Sequence, residues 1–330
     1  MAQKYPMVKP WLEYHRISSD REYIIENEIV PENTGNDSVR YPQYFIDFMK
    51  RLDGKTNPYR IEPSLDKRTV RAYLQYLSKN GYLRDGVRNR DVGRLAFSIV
   101  KFDGKSGFSR ISVLLNRCLI LSWLPVLICG ILLGIKVWNN YYVFEGTYWF
   151  GFIFGLIAGL FLHEAGHAVA AKAYKAPVYE IGIRISLLPA AYTLMKETAV
   201  KNRLKRTQIY AAGVETNFLL AGLFFTAAHL FPFGNICTFL FYAGLENMLL
   251  GIANLCFFLP LDGFKMITTL LGADDIVFSM LTSLLMPSTW KEQLEKGPSG
   301  LARMLSVSFL QLTQSIALIW ILYNVAVIFV

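Results

Sequence analysis

An apolar run from Tyr148 to about Ala173 carries His163-Glu164-Ala165-Gly166-His167 in its second half. A run of that length can cross a bilayer as a helix, since about 20 apolar residues suffice. In hydrocarbon every backbone polar group must be satisfied within the protein, so a spanning segment is a helix or part of a closed barrel. On a helix the two imidazoles fall at i and i+4, on one face, where they can hold one zinc ion. The glutamate between them is placed to serve as general base to a metal-bound water. Ionisable groups at membrane depth are expensive and point to function by default.

The rest of the chain divides by polarity. Hydrophobic residues make up 53% and the mean hydropathy is +0.31, above the usual balance of soluble domains. Residues 1–110 are polar and charged, whereas apolar stretches dominate from Leu119 on. Candidate spans are Leu119–Trp138, Tyr148–Ala173, Ile209–Leu230, Asn235–Leu259 and Val307–Val330. Ile276–Pro287 is apolar but short, which fits a re-entrant, interfacial or tilted segment. The pattern predicts a multi-span α-helical membrane protein with about five to six transmembrane helices. It divides into an N-terminal domain over 1–110, a transmembrane core over 111–275 and a C-terminal membrane segment over 276–330.

The net charge of +9 fits Lys and Arg held in cytoplasmic loops better than a nucleic-acid partner. Eight Lys or Arg lie between 84 and 117, and eight more between 172 and 208, while the 139–147 and 231–236 loops have none. The positive-inside rule then places the N-terminus and the 172–208 segment in the cytoplasm of a multi-pass cell-membrane protein. Cys118, Cys129, Cys237 and Cys256 lie in or beside apolar spans without CxxC spacing. Neither a disulfide framework nor a cysteine zinc site is indicated. The N-terminal Met-Ala-Gln-Lys-Tyr-Pro opens no apolar run, so no cleavable signal peptide is expected.

In the polar region, Tyr44, Phe45, Phe48, Met49 and Leu52 have helical spacing, with Gly54 as a stop. Asp66 can cap a second helix whose stripe is Val70, Tyr73, Leu74 and Leu77, ending at Gly81. Tyr23-Ile24-Ile25 reads as a strand. Two helices followed by Tyr82-Leu83 suggest a winged-helix shape. Over about 40–85, Leu52-Asp53-Gly54 and Asn80-Gly81-Tyr82-Leu83 are similar to the small PqqD-type domains that bind leader peptides. An ordinary cytoplasmic helical domain without a ligand fits equally, and no recognition helix for DNA stands out.

Two histidines fill half of a tetrahedral zinc site, and a catalytic site usually has three protein ligands. His15 lies in the polar region and His229 near the opposite face of the bilayer, which leaves carboxylates. Asp262, in Leu259-Pro260-Leu261-Asp262-Gly263, is the best candidate. A carboxylate at a span needs a partner, and Pro260 and Gly263 break regular helix where a polar site would be lined. Gly151, Gly155 and Gly159 recur every four residues and lead to His163 and His167. Such a small-residue stripe predicts close approach of another helix, here the fourth span, which would deliver Asp262. Glu215 and Glu246 remain as intramembrane carboxylates, with a site role or hydrogen-bonded packing as alternatives.

The residues 163–167, the segment Ala212-Gly213-Val214-Glu215-Thr216-Asn217, and Asn254-Leu255 leading to Leu261-Asp262-Gly263 together resemble the site-2 protease family of intramembrane zinc metalloproteases. The similarity covers roughly 148–275. Asp262-Gly263-Phe264 followed by Leu271-Gly272 is similar to the bacterial peptide zinc metalloproteases found with peptide-modification systems. The resemblance implies zinc held by His163, His167 and Asp262, Glu164 as catalytic base, and Asn217 steadying the substrate or the oxyanion. Val214 and Phe257 stand where the family often has proline, which puts substrate geometry in question more than metal binding. Val178–Leu188, with Ile181, Ile183 and Ile185, is similar to the family's membrane-associated strand or hairpin, which could pair with an extended substrate; a structured cytoplasmic loop is the alternative.

The expected function is hydrolysis of a peptide bond in a membrane-associated or small precursor peptide during peptide maturation. The implied partners are the lipid bilayer, a peptide or transmembrane substrate, and peptide-modification or export proteins. Two other readings are a regulatory protease that cuts a transmembrane regulator and a non-catalytic membrane partner of a peptide export system.

Overall fold

Asp66 starts a helix by accepting a hydrogen bond from Thr69 N–H at 2.6 Å, and Gly81, at φ +72°, accommodates the left-handed turn beyond its end. This capped segment, α2 (Lys67–Lys79), belongs to one of two units in the computed structural model of the chain. The structure describes residues 5–17, 22–27, 39–84, 96–102, 110–140, 148–185, 189–232, 234–256 and 261–272, and, in the C-terminal part, 295, 297–302, 304–309, 312–314 and 316. Residues 1–105 and 179–194 group into the first unit, and 106–178 and 195–330 into the second.

In the first unit, β1 (Leu12–Arg16), β2 (Glu22–Asn27) and β3 (Tyr41–Pro42) form an antiparallel sheet in that order. Tyr14 pairs with Ile25 and Tyr23 with Tyr41. The core joins Ile25 to Phe45, Ile46, Phe48 and Met49 of α1 (Gln43–Lys50) and to Val70 and Leu77 of α2. The α2 cap and stop and the strand signal are therefore present as read, with Tyr23–Ile25 inside β2, whereas α1 ends at Lys50, short of the expected Leu52 and Gly54. Leu83 forms only an isolated bridge, to Val8.

A second sheet joins β4 (Ala96–Lys101), β5 (Val178–Ile185) and β6 (Pro189–Met195) in that order. Its central strand departs from expectation. Ile181 is buried, but Ile183 and Ile185 are exposed, and the fully buried Glu180 is paired with Arg84 and accepts the Tyr192 hydroxyl at 2.8 Å. Because β5 is flanked on both sides, its backbone is committed, and only the outer strands present open edges among the described residues. Residues 186–188, the end of the expected strand, lie outside the described set.

The second unit contains four helices long and apolar enough to cross a membrane among the described residues: α3 (Arg110–Asn140), α4 (Tyr148–Ala173), α5 (Arg203–Leu230) and α6 (Gly234–Asn254). At 1.5 Å per residue, α4 runs for about 39 Å, against a hydrocarbon thickness of about 30 Å. The first helix begins nine residues before the expected Leu119, because a polar start does not stop a helix once its later turns are buried in apolar surroundings. The fourth ends at Asn254 rather than Leu259. A shorter helix, α7 (Asp262–Leu271), follows and stops at Gly272 in the left-handed region, φ +67°. The expected segment Ile276–Pro287 and most of Val307–Val330 lie outside the described residues; of the latter, Val307 packs with Met304 against Phe264 of α7.

The glycine stripe does what its spacing implies. A methyl on Gly155 would lie 2.9 Å from the Ala243 backbone, and one on Gly159 would lie 2.6 Å from Asn247 Oδ1, so α6 crosses α4 along this face. Fully buried Asn247 donates to the Gly155 carbonyl at 3.2 Å and to the Ala243 carbonyl at 2.9 Å. The next steps of the same stripe carry His163 and His167 past α6 and onto α5 and α7.

Candidate metal centre

One turn of α4 separates His163 from His167, and both side chains are almost completely buried, at 5% and 4% exposure. Their rings stand nearly perpendicular, at 87°. His163 Nε2 lies 2.8 Å and His167 Nε2 3.1 Å from Asp262 Oδ2, and the two nitrogens are 3.1 Å apart. Three atoms from sequence positions about a hundred residues apart thus meet at one point.

The other ring nitrogens decide what those atoms are. His167 Nδ1 sits 2.7 Å from the Ile209 carbonyl, which can only accept, so Nδ1 carries the hydrogen there. His163 Nδ1 lies 3.3 Å from Asn217 Oδ1, an acceptor in this amide orientation. Both Nε2 atoms then present lone pairs to each other and to a carboxylate oxygen. Such a set of acceptors calls for a cation. With zinc–ligand bonds of 2.0–2.1 Å, tetrahedral ligands sit roughly 3.3 Å apart, close to the 2.8–3.1 Å found here.

Helix α5 leaves room for an ion. A methyl added to Gly213 would lie 2.5 Å from His167 Nε2 and 2.6 Å from His163 Nε2, inside the space the ligands enclose. Ile209, Gly213 and Asn217 recur every four residues, so one face of α5 supplies an orienting carbonyl, a gap and an orienting amide. Neither Ile209 nor Gly213 was anticipated at the centre, although that spacing was the available signal. On α4, Gly166 permits the crossing, since a methyl there would lie 2.7 Å from the Ala212 carbonyl.

Asp262 enters from the first turn of α7. A methyl on Gly263 would lie 2.6 Å from the Leu255 carbonyl, so the glycine after the aspartate lets α7 start against the end of α6. Glu164 completes the cluster, with a carboxylate oxygen and the histidine ligand atoms all within 4.8 Å of one another. That reach accommodates a single water between base and ligands.

The other candidates lie elsewhere. His15 is beside Glu13 at 3.6 Å on β1, in the first unit. His229 is near the C-terminal end of α5, about 24 Å along the helix from Gly213 at 1.5 Å per residue. Glu215 accepts from Gln208 of its own helix at 2.8 Å. Glu246 faces Gly155 across the α4–α6 crossing. Asn217 is fully buried, and its Nδ2 has no hydrogen-bond partner among the described residues.

Comparison with known families agrees with this geometry. Residues 151–234 match peptidase family M50. The match takes in His163, Glu164, His167, Gly213 and Asn217 and ends before Asp262. No curated protein and no solved structure matches the chain.

Proposed function

We propose that this chain, a member of peptidase family M50, the site-2 protease family, cleaves a membrane-associated or small precursor peptide through a zinc centre held by His163, His167 and Asp262. The observation that carries the reading is the meeting of two histidine Nε2 atoms, whose outer Nδ1 hydrogen bonds are already committed, with the Asp262 carboxylate. Zinc supplies a Lewis acid there, acidifying water and polarising a carbonyl. Glu164 takes a proton from the attacking water and returns it to the leaving amine, a transfer its position beside the ligands supports. Ile209 and Asn217 hold the two imidazoles with Nε2 inward. Asn217 Nδ2, buried and unpartnered, is the donor assigned to the oxygen that gains charge during attack.

The substrate must reach this centre unwound, because helical carbonyls are already hydrogen-bonded. Taken by itself, the second sheet has β5 flanked on both sides, so strand addition there is open only at its outer strands, among them the seven-residue β6. The distribution of Lys and Arg supports a cytoplasmic N-terminus and a cytoplasmic 172–208 segment. Peptide maturation, in company with modification or export proteins, is the role this reading favours.

The test is proteolysis of dye-quenched casein, a generic unfolded substrate, by the purified chain in detergent. Glu164→Gln should lose cleavage by at least about a hundredfold while keeping its zinc. Cleavage at the wild-type rate by that variant would remove Glu164 from the chemistry.

A further inference from the structure

Far along the sequence from the metal centre, four cations line one concavity of the first unit. A cavity of about 580 Å³ is bounded, among the described residues, by Asn57, Tyr59, Arg60, Lys67, Arg68 and Arg71, none of them a carboxylate. All four cationic side chains are exposed, and none makes an ion pair or a side-chain hydrogen bond with a described residue. The acids nearest in sequence are already engaged, Asp66 as the cap of α2 itself. Glu62 pairs with Arg51 at 3.2 Å, and Asp66 is bound to the Thr69 N–H, which holds its carboxyl below the usual range.

The local fold does not favour this clustering. Lys67 and Arg68 occupy the first turn of α2, which holds no acid, and the positive end of a helix disfavours cations there. Lys67 and Arg71 are four residues apart, and Arg68 and Arg71 three, so they repel across one helix face. An anion from outside relieves both effects.

The surroundings narrow the class of anion. Residues 1–84 hold 14 Lys or Arg against 11 Asp or Glu, so the region lacks the broad positive field through which nucleic acid is held. One phosphate is satisfied by one or two guanidinium groups, whereas four cations around one cavity match several carboxylates together. Asn57 caps the Pro58–Arg60 turn through Oδ1 and keeps Nδ2 as a donor, and Tyr59 is 41% exposed beside it. These add an amide, a hydroxyl and an aromatic face suited to peptide backbone and side chains.

We infer that this cavity binds an acidic peptide segment, with two or more Asp or Glu side chains facing Arg60, Lys67, Arg68 and Arg71. The inference does not depend on the proteolytic reading, since it rests on other residues and its test reads binding.

The experiment uses the full chain in detergent and a fluorescein-labelled octapeptide of alternating Glu and Asp, followed by anisotropy. The wild type should bind it with an affinity that falls as salt rises. Arg68→Gln/Arg71→Gln should bind at least about tenfold more weakly, with unchanged circular dichroism and zinc content. Arg68→Glu/Arg71→Glu should lose the acidic peptide and gain a lysine octapeptide. Equal binding by wild type and the glutamine variant would overturn the assignment. So would displacement of the peptide by equimolar inorganic phosphate or by phosphatidylglycerol vesicles, which would mark the cavity as a phosphate or lipid-headgroup site.

Discussion

In the first unit the fully buried side chains are large, among them Trp11, Ile46, Met49 and Leu77, while along α4 the buried positions are Gly151, Gly155, Gly159, Gly166, three alanines and the two histidines. The large residues of α4 point the other way: Trp149, Phe150, Ile153 and Ile157 are all more than half exposed. Water explains the first pattern, since burying one large apolar side chain is worth about 1.5–3 kcal/mol. Lipid explains the second. Hydrocarbon outside a helix is as apolar as leucine, so helices gain by close backbone approach and interhelical hydrogen bonds, which small residues permit. The candidate metal centre uses the same device. Gly213 and Gly166 bring α5 near enough for a backbone carbonyl and an amide to orient the histidines.

The sharpest way to break this comparison is to add one carbon to α5. Gly213→Ala puts a methyl in the space enclosed by the ligands, so zinc per chain should fall to background while the protein remains folded by circular dichroism. Full zinc occupancy in that variant would show that α5 has more freedom than its packing implies. The corresponding change in the first unit removes carbons. Leu77→Ala should cost about 2–5 kcal/mol of local stability, read as faster amide exchange over residues 41–82 in the full chain, with zinc content unaltered. Unchanged exchange there would argue against a water-driven core. The smallest effect separates the two ends of one side chain. Asn217→Ala should weaken zinc binding about 10–100-fold. Asn217→Asp, which keeps an acceptor for His163 and drops the donor, should retain zinc and lower kcat/KM by about 10² or more. Equal zinc loss in both variants would confine Asn217 to packing.

Much of this was legible in the residues, and the limits have physical causes. HExxH fixes its own geometry, since i and i+4 share a helix face whatever surrounds it. The four-residue glycine repeat foretold the α4–α6 crossing because helix contact in lipid depends on small side chains. The aspartate after a helix-breaking segment pointed to Asp262, which reaches both histidines. Local signals also sufficed for the Asp66 cap and the Gly81 stop. Of the second sheet, the strand at Val178–Ile185 was legible, but its pairing with β4 was not, because the two are some eighty residues apart and no local rule encodes that register. The position of β5 at its centre follows from that nonlocal pairing, as does the burial of Glu180 against Arg84. The ends of α3 and α6 were misplaced for a related reason. Hydropathy marks where a span is apolar, whereas the helix continues or stops according to packing and the turn that follows. Ile209 was read only as the start of a span, because its contribution at the centre is a main-chain carbonyl, which any residue could supply.

The most direct test of the account is zinc per chain in detergent-purified protein, measured for wild type, His163→Ala and Asp262→Ala. The account predicts about one zinc in wild type and its loss, or binding weakened by orders of magnitude, in both variants. No zinc in wild type after incubation with the metal, or full occupancy in Asp262→Ala, would contradict the three-ligand centre.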